Sequence, residues 1–168
     1  MLFRSEQVGK IFGDVYGRSY STSQVSRMFN YAREEVGLWL QRPLEPYYPI
    51  ILIDATFIYT RRVDNVSKEA YYTIMGVKAD RTREVLSIVN FPTESSTAWE
   101  TALHALKERG IKDVGLFICD NLSGIETSIW KQFADAEIQL CMIHLQRNVQ
   151  KHIKPMHKKQ VSEDFQDV

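Results

Sequence analysis

Residues 50–53, Ile-Ile-Leu-Ile, constrain the fold of this chain more than any other stretch. Three of the four are β-branched and none is polar, which is typical of a β-strand that is buried on both faces. The run ends at Asp54, and a buried carboxylate is costly unless a partner compensates its charge. A divalent cation is one such partner, since hard cations take oxygen ligands. Taken alone, however, Asp54 is explained more simply as a polar residue that begins a turn.

A second apolar run has the same design, because residues 114–119 lead directly to Asp120. If the two strands are parallel neighbours, their ends meet at one edge of the sheet, and Asp54 and Asp120 lie side by side. Adjacent carboxylates repel each other and raise each other's pKa unless a cation intervenes. The pair therefore predicts a Mg²⁺ site for phosphoryl chemistry.

The segment from residue 47 to residue 153 predicts the element order β-β-β-α-β-α-β-α. Further strands are expected at residues 71–77, 85–91 and 137–142, with a polar turn over 61–69. Ser123 and Glu126 have the spacing of a capping box at the start of a helix. A meander followed by alternating helices and strands favours an α/β fold with a mixed sheet covered by helices.

Residues 1–46 are predicted to form two helices joined by a polar turn and followed by a linker. Apolar residues recur at helical spacing on both sides of the turn, and two prolines mark the linker. Two interpretations of this segment remain: a plain helical hairpin, and a helix-turn-helix segment that binds DNA. Residues 1–42 hold six basic and four acidic residues, a weak positive balance. In the second reading, four side chains are expected to contact DNA: Arg18, Gln24, Arg27 and Arg33.

The last predicted helix, from about residue 143 to 153, has a polar face on which a second DNA contact is expected. Residues 143–160 contain five Lys or Arg, three His and no acidic residue, which suits contact with phosphates. The alternative to DNA contact is that these residues form the solvent-exposed polar face of an amphipathic helix. Cys141 and His144 have a zinc-like spacing, but no second ligand pair accompanies them, which argues against zinc. The residues of the polar face are His144, Arg147, Asn148 and Lys151.

Composition excludes some classes of protein and leaves others open. Basic and acidic residues balance at 21 each, so net charge gives no evidence for a nucleic-acid partner. No apolar run approaches the ~20 residues that a membrane-spanning helix needs. No signal peptide is visible, and two cysteines do not make a disulfide framework. We therefore expect a cytoplasmic protein without a membrane partner.

These motifs together resemble the bacterial insertion-sequence transposases of the Mutator type. Two of the matching segments are Asp54-Ala55-Thr56-Phe57 and Cys141-Met142-Ile143-His144, the second continuing to Asn148. The others are residues 41–44, 72–77, 83–87, 94–99, 106–110 and 120–125. The similarity covers nearly the whole chain, and it is the combination of segments that is specific.

The resemblance implies an RNase H-like core with a DDE active site, formed by two Asp and one Glu. Asp54 and Asp120 match the first two positions and would bind Mg²⁺ or Mn²⁺ for DNA strand cleavage and transfer. The expected partners are transposon-end and target DNA, and a second copy or a full-length transposase. The resemblance also implies a bacterial, nucleoid-associated protein.

The resemblance further divides the chain and predicts that it is truncated. Residues 1–46 match the helix-turn-helix segment, 47–153 an incomplete catalytic core, and 154–168 the start of a helical insertion. The family's Glu lies beyond that insertion, so this chain alone is expected to be inactive. The family also reads Asp-Gly-His where this chain has Asp120-Asn121-Leu122. Two alternatives remain: a catalytically dead protein that binds DNA or interferes with transposase, and a regulatory helix-turn-helix protein with an unrelated sensor domain.

Overall fold

The protein is described here by a computed structural model covering residues 5–62, 65–91 and 96–165. The helices are α1 (Ser5–Tyr16), α2 (Thr22–Gln41), α3 (Ser96–Glu108), α4 (Ile125–Gln132), α5 (Met142–His152) and α6 (Lys158–Asp164), with a 3-10 turn at Pro155–His157. The strands are β1 (Tyr47–Arg61), β2 (Val66–Val77), β3 (Arg83–Phe91), β4 (Asp113–Cys119) and β5 (Glu137–Leu140). From β1 to α5 the elements follow the predicted order.

The chain divides into two compact units, Met1–Pro43 with Phe57–Ala70, and Leu44–Thr56 with Tyr71–Val168. The sequence-based boundaries at residues 46 and 153 stay predictions. No helix in the described ranges is both long and apolar enough to cross a membrane.

In the first unit, α1 and α2 form where the apolar spacing predicted them. Gly17 ends α1 with a φ of 65°, a left-handed conformation that glycine adopts at little cost. Ser21 caps α2: its Oγ accepts from the Gln24 N–H, and the Gln24 side chain accepts from the Ser21 N–H. Val25 is the buried residue of α2, whereas Phe29, Val36 and Trp39 are exposed, so much of the predicted apolar face of α2 lies at the surface.

The second unit is built on a five-stranded mixed sheet of order β3-β2-β1-β4-β5. β1, β4 and β5 are parallel to one another. The four- and five-residue connections before and after β2 make β1, β2 and β3 antiparallel, since a parallel pair needs a longer crossover. The core residues include Tyr48, Ile51, Ile53, Tyr72, Ile74, Leu86, Trp99, Leu103, Leu106, Val114, Phe117, Ile125 and Ile129.

Four sequence-based details are wrong. β1 does not end at Asp54 but continues to Arg61, and β2 begins at Val66, inside the predicted polar turn. Residues 50 and 52 are only half-buried, so this part of β1 is fully covered only on the face of Ile51 and Ile53. The N-cap of α4 is Gly124, with a φ of 74° and no side-chain cap, rather than Ser123.

Candidate active site

Asp54, within β1, and Asp120, the residue after β4, both follow the last registered pair of these two parallel strands. The register of β1 and β4 ends with Ile53 paired to Cys119, and each aspartate is the residue that follows one member of this pair. Neighbouring strands are about 4.8 Å apart, and residues in register project from the same face. The structure therefore places both aspartates directly after the last registered pair of β1 and β4, and the juxtaposition of their carboxylates stays a prediction.

The surroundings of Asp54 differ from the expected buried strand end. Its side chain is 67% exposed, and the strand that carries it continues for seven residues toward Arg61. One carboxylate oxygen, Oδ1, accepts a hydrogen bond of 2.9 Å from the Ala55 N–H. This bond limits how the carboxylate can rotate and leaves Oδ2 for a further ligand.

Asp120 is half-buried and oriented by a similar contact. Its Oδ1 accepts from the Asn121 N–H at 2.8 Å, while its backbone carbonyl accepts from the Leu122 N–H at 2.7 Å. The chain then turns through Gly124 into α4. The tight turn after β4 thus holds Asp120 at the strand end, and the same kind of backbone contact holds both aspartates.

A third strand brings His144 to this site. Cys119 is in register with Leu140 of β5, and the Cys141 N–H donates to the Cys119 carbonyl at 2.8 Å. α5 begins one residue later, which places His144 in its first turn. The Nε2 of His144 lies 3.7 Å from Oδ1 of Asp54, across the end of β4. Its Nδ1 is buried and finds no hydrogen-bond partner among the residues that the structure describes. The sequence did not predict this contact between His144 and Asp54.

The pKa of the Cys119 thiol is affected by carboxylates near the site. Burial raises the pKa of its thiol from 9.0 to about 11, and the carboxylates of Glu126 and Asp120 add to the effect. Both carboxylates therefore act on the Cys119 thiol. Glu126 is exposed, in the first turn of α4, and it forms no capping box.

The two carboxylates suit a hard cation and do not suit zinc. Within the described part of the chain, no three His, Cys, Asp or Glu residues are grouped to hold a metal. The argument against zinc at Cys141 and His144 stays a prediction from the sequence. Mg²⁺ commonly takes one or two carboxylates and completes its shell with water and substrate phosphates. Asp54 and Asp120 provide such a set of oxygen donors, and each keeps an oxygen outside its backbone contact.

The basic face of α5 follows directly from the site. Arg147, Asn148 and Lys151 are exposed, and Lys151 Nζ donates to the Asn148 side chain at 3.2 Å. Gln150 donates to Ser162 Oγ at 2.5 Å, which connects α5 to α6. His144 and this exposed group are on one helix, so the structure keeps together the four α5 residues that the sequence selected.

The four residues selected in the first unit do not form one group. Gln24 and Arg27 line an open cavity of about 560 Å³ with Tyr20, Met28 and Tyr31. Gln24 Oε1 is already engaged in the cap of α2. Arg18 lies in the turn before α2 and lines a different cavity, of about 450 Å³. Arg33 is nine residues after Gln24, and at 3.6 residues per turn it lies on the opposite side of α2.

Comparison with known proteins identifies the family. A family model described as "Transposase, Mutator family" matches residues 4–168. The transposase for insertion sequence element IS905 of Lactococcus lactis is 29% identical over 164 residues, which cover 98% of this chain and 42% of the relative. The probable transposase for insertion sequence element ISRM3-like of Sinorhizobium fredii is 33% identical over 135 residues, 80% of this chain and 34% of the relative.

This chain thus spans less than half the length of both relatives. Among solved structures, the Drosophila P element transposase strand transfer complex matches 90% of this chain and 44% of its own, with 13% identity. Its TM-score of 0.38 is too low to support an argument about fold or function. The family model, in contrast, matches almost every residue. The chain belongs to the Mutator family of transposases.

Proposed function

We propose that this chain carries part of the active site and part of the DNA-binding surface of an insertion-element transposase. The reaction would be metal-dependent cleavage and transfer of DNA strands at the element ends, on a DDE site in an RNase H-like core. The observation that carries the proposal is the register of β1 and β4, which ends one residue before both aspartates. The sheet order and the family membership support it.

Asp54 and Asp120 would hold the metal ion, Mg²⁺ or Mn²⁺. When bound, such ions activate an attacking hydroxyl and stabilise the leaving oxygen of a phosphodiester. The contribution of this chain is to orient both carboxylates through the Ala55 and Asn121 N–H groups. His144, beside Asp54, is suited to donate a hydrogen bond to a phosphate oxygen that enters the site.

DNA would be bound at two surfaces, one in each unit. On α5, the exposed Arg147 and Lys151 would neutralise phosphates, while Asn148 offers a neutral polar contact. In the first unit, Arg18 and Arg33 would contact the backbone, and Arg27, beside Gln24, would contact either phosphates or bases. Such contacts make binding fall steeply with salt, because each neutralised phosphate releases counterions.

We further propose that the 168-residue chain binds DNA without cutting it. The described residues supply two carboxylates at the site, whereas a DDE site uses three. The test is a supercoiled plasmid that carries the terminal repeats of the element, incubated with Mg²⁺ or Mn²⁺. A gel shift on the same repeats measures DNA binding. A Mn²⁺ titration followed by electron paramagnetic resonance measures Mn²⁺ binding.

Asp113→Ala is the matched control for Asp54→Ala and Asp120→Ala. Asp113 begins β4, and its Oδ1 accepts from the next N–H at 2.8 Å, as in the two site residues. We expect Mn²⁺ binding to weaken in both site variants and to persist in the control. Equal Mn²⁺ binding by all three variants would show that Asp54 and Asp120 do not form the metal site. Metal-dependent nicking by the unchanged chain would contradict the claim that it only binds.

A further inference from the structure

The hairpin formed by the far ends of β1 and β2 presents an aromatic and basic face to solvent. Side chains alternate between the two faces of a strand, so Phe57, Tyr59 and Arg61 share one face of β1. Lys68 of β2 belongs to the same face, because its Nζ lies 5.4 Å from the centroid of the Phe57 ring. Phe57 and Tyr59 are 59% and 62% exposed, and Arg61 and Lys68 are exposed as well. We call these four residues the hairpin face.

The opposite side of the hairpin accounts for its structure. Arg62 donates to both carboxylate oxygens of Glu69, and Ser67 Oγ donates to the same carboxylate at 3.0 Å. Glu69 is only 8% exposed, and such bidentate, charge-assisted pairs are specific in geometry. Paired strands held in this way keep the hairpin face in one arrangement. The fold therefore does not need the two exposed rings for a core.

The charge of the hairpin face is not compensated within the described residues. Glu69 is the only carboxylate in the described part of the hairpin, and Arg62 neutralises it on the other side. Arg61 and Lys68 form no ion pair with a described residue. The hairpin face thus combines two rings with two cations, and the described residues place no carboxylate on it. Such a face is complementary to a polyanion that also offers flat apolar surfaces.

We propose that the hairpin face binds an unpaired segment of DNA, with bases stacked on Phe57 and Tyr59 and phosphates beside Arg61 and Lys68. This inference rests on the proposed function, and it adds a site and a state of the substrate to it. Bases in a duplex already stack on one another, whereas unpaired bases are free to stack on protein rings. The two rings are about 6.6 Å apart along β1, so each takes its own base.

The test measures binding of the full chain to two fluorescein-labelled probes, a (dT)20 oligonucleotide and a 20-bp duplex of mixed sequence. Stacking on an aromatic side chain contributes about 1–3 kcal/mol per base, so removing both rings in the Phe57→Ala/Tyr59→Ala variant should weaken (dT)20 binding at least about thirtyfold. Duplex binding should change much less. The Phe57→Tyr/Tyr59→Phe variant keeps both rings and should bind (dT)20 as the unchanged chain does, which separates stacking from loss of fold.

The charges are tested by the salt dependence of the same binding. Each phosphate contact on a single strand contributes about 0.7 to the slope of log affinity against log salt. The Arg61→Gln/Lys68→Gln variant should therefore reduce that slope by about 1.4 on (dT)20. The matched control is Arg83→Gln/Lys112→Gln, which removes two exposed cations at the starts of β3 and β4 and should leave the slope unchanged.

Five outcomes of these experiments distinguish the proposals. Undiminished (dT)20 binding by the ring-free variant would overturn the inference, and so would equal losses on (dT)20 and duplex. A dimer of the unchanged chain in sedimentation, lost in the ring-free variant without any effect on DNA, would make this face a protein interface and also overturn it. Failure of the unchanged chain to bind the duplex would count against the proposed function instead. Loss confined to (dT)20 in the ring-free variant supports the inference.

Discussion

Gly76 of β2 lies against the ring of Tyr48, and a single methyl group there should be strongly destabilising. A Cβ at Gly76 would lie 2.5 and 2.6 Å from two ring carbons of Tyr48 and 3.1 Å from Leu86 Cδ1. The ring has no room to move, because it is fully buried and its hydroxyl donates to Glu84 Oε1 at 2.6 Å and accepts from the Glu45 N–H at 3.2 Å. Gly76→Ala must therefore shift the ring, the strand or both.

The magnitude follows from two losses. An extra methyl in a packed core costs about 1–3 kcal/mol, and disturbing a hydrogen bond to a charged acceptor costs up to about 1.5–3 kcal/mol more. We expect Gly76→Ala to lower the free energy of unfolding by about 2–4 kcal/mol in urea titrations. The fluorescence of the buried Trp99, which belongs to the same unit, is a suitable probe.

A double-mutant cycle separates the two losses and can refute the reasoning. In a Tyr48→Val background the ring is gone, so adding Gly76→Ala should cost little. In a Tyr48→Phe background the ring remains and only the hydroxyl is lost, so the steric part of the cost should persist. The first pair should show a coupling of at least about 1 kcal/mol. Additive effects of Gly76→Ala and Tyr48→Val, within about 0.5 kcal/mol, would mean that the ring does not limit this position.

Two further perturbations have signs that follow directly from the structure. Gly17→Ala should destabilise by about 1 kcal/mol through its left-handed φ alone, since the added Cβ meets no described atom within 4 Å apart from its chain neighbours. Gly37→Ala, inside α2, meets no described atom beyond its own helix and should stabilise by about 0.5–1 kcal/mol. Shifts of the urea midpoint in the same direction for both variants would contradict this contrast. Because Cys119 keeps its proton to about pH 11 when folded and loses it near 9.0 when unfolded, its contribution, of the order of 2 kcal/mol, is present below pH 9 and is lost as the pH rises to 11. Cys119→Ala should therefore flatten the fall in urea midpoint that starts above pH 9, whereas Cys141→Ala should leave that fall in place.

The order of elements in the second unit was predictable because its apolar residues follow the period of the element that they form. The hairpin was not predictable in the same way. Residues 66–69 are mostly polar, and no continuous core covers this end of β2. Its strand pairing is accompanied by the contact of Arg62 with the buried Glu69. Such a pair leaves no periodic trace in the sequence, so the segment was interpreted as a turn.

The candidate site was predictable in its strands but not in its surroundings. Two apolar runs that each lead to an aspartate placed Asp54 and Asp120 together, and the parallel register agrees with that. The contact between His144 and Asp54 depends on β5 pairing with β4, which brings the first turn of α5 to the site. Only the strand order makes this contact visible, because the spacing along the chain from Asp54 to His144 contains no information about it.

The exposure of Asp54 changes the physical argument from which its role was first inferred. A buried carboxylate demands a compensating partner, but Asp54 is 67% exposed, and water screens its repulsion from Asp120. The fold can therefore keep both aspartates after the last registered pair of β1 and β4, with each carboxylate held by the next N–H group, and needs no cation to do so. The case for a metal site thus rests on the placement of two oriented oxygen donors directly after the last registered pair of two parallel strands, and it no longer rests on a cost of burial.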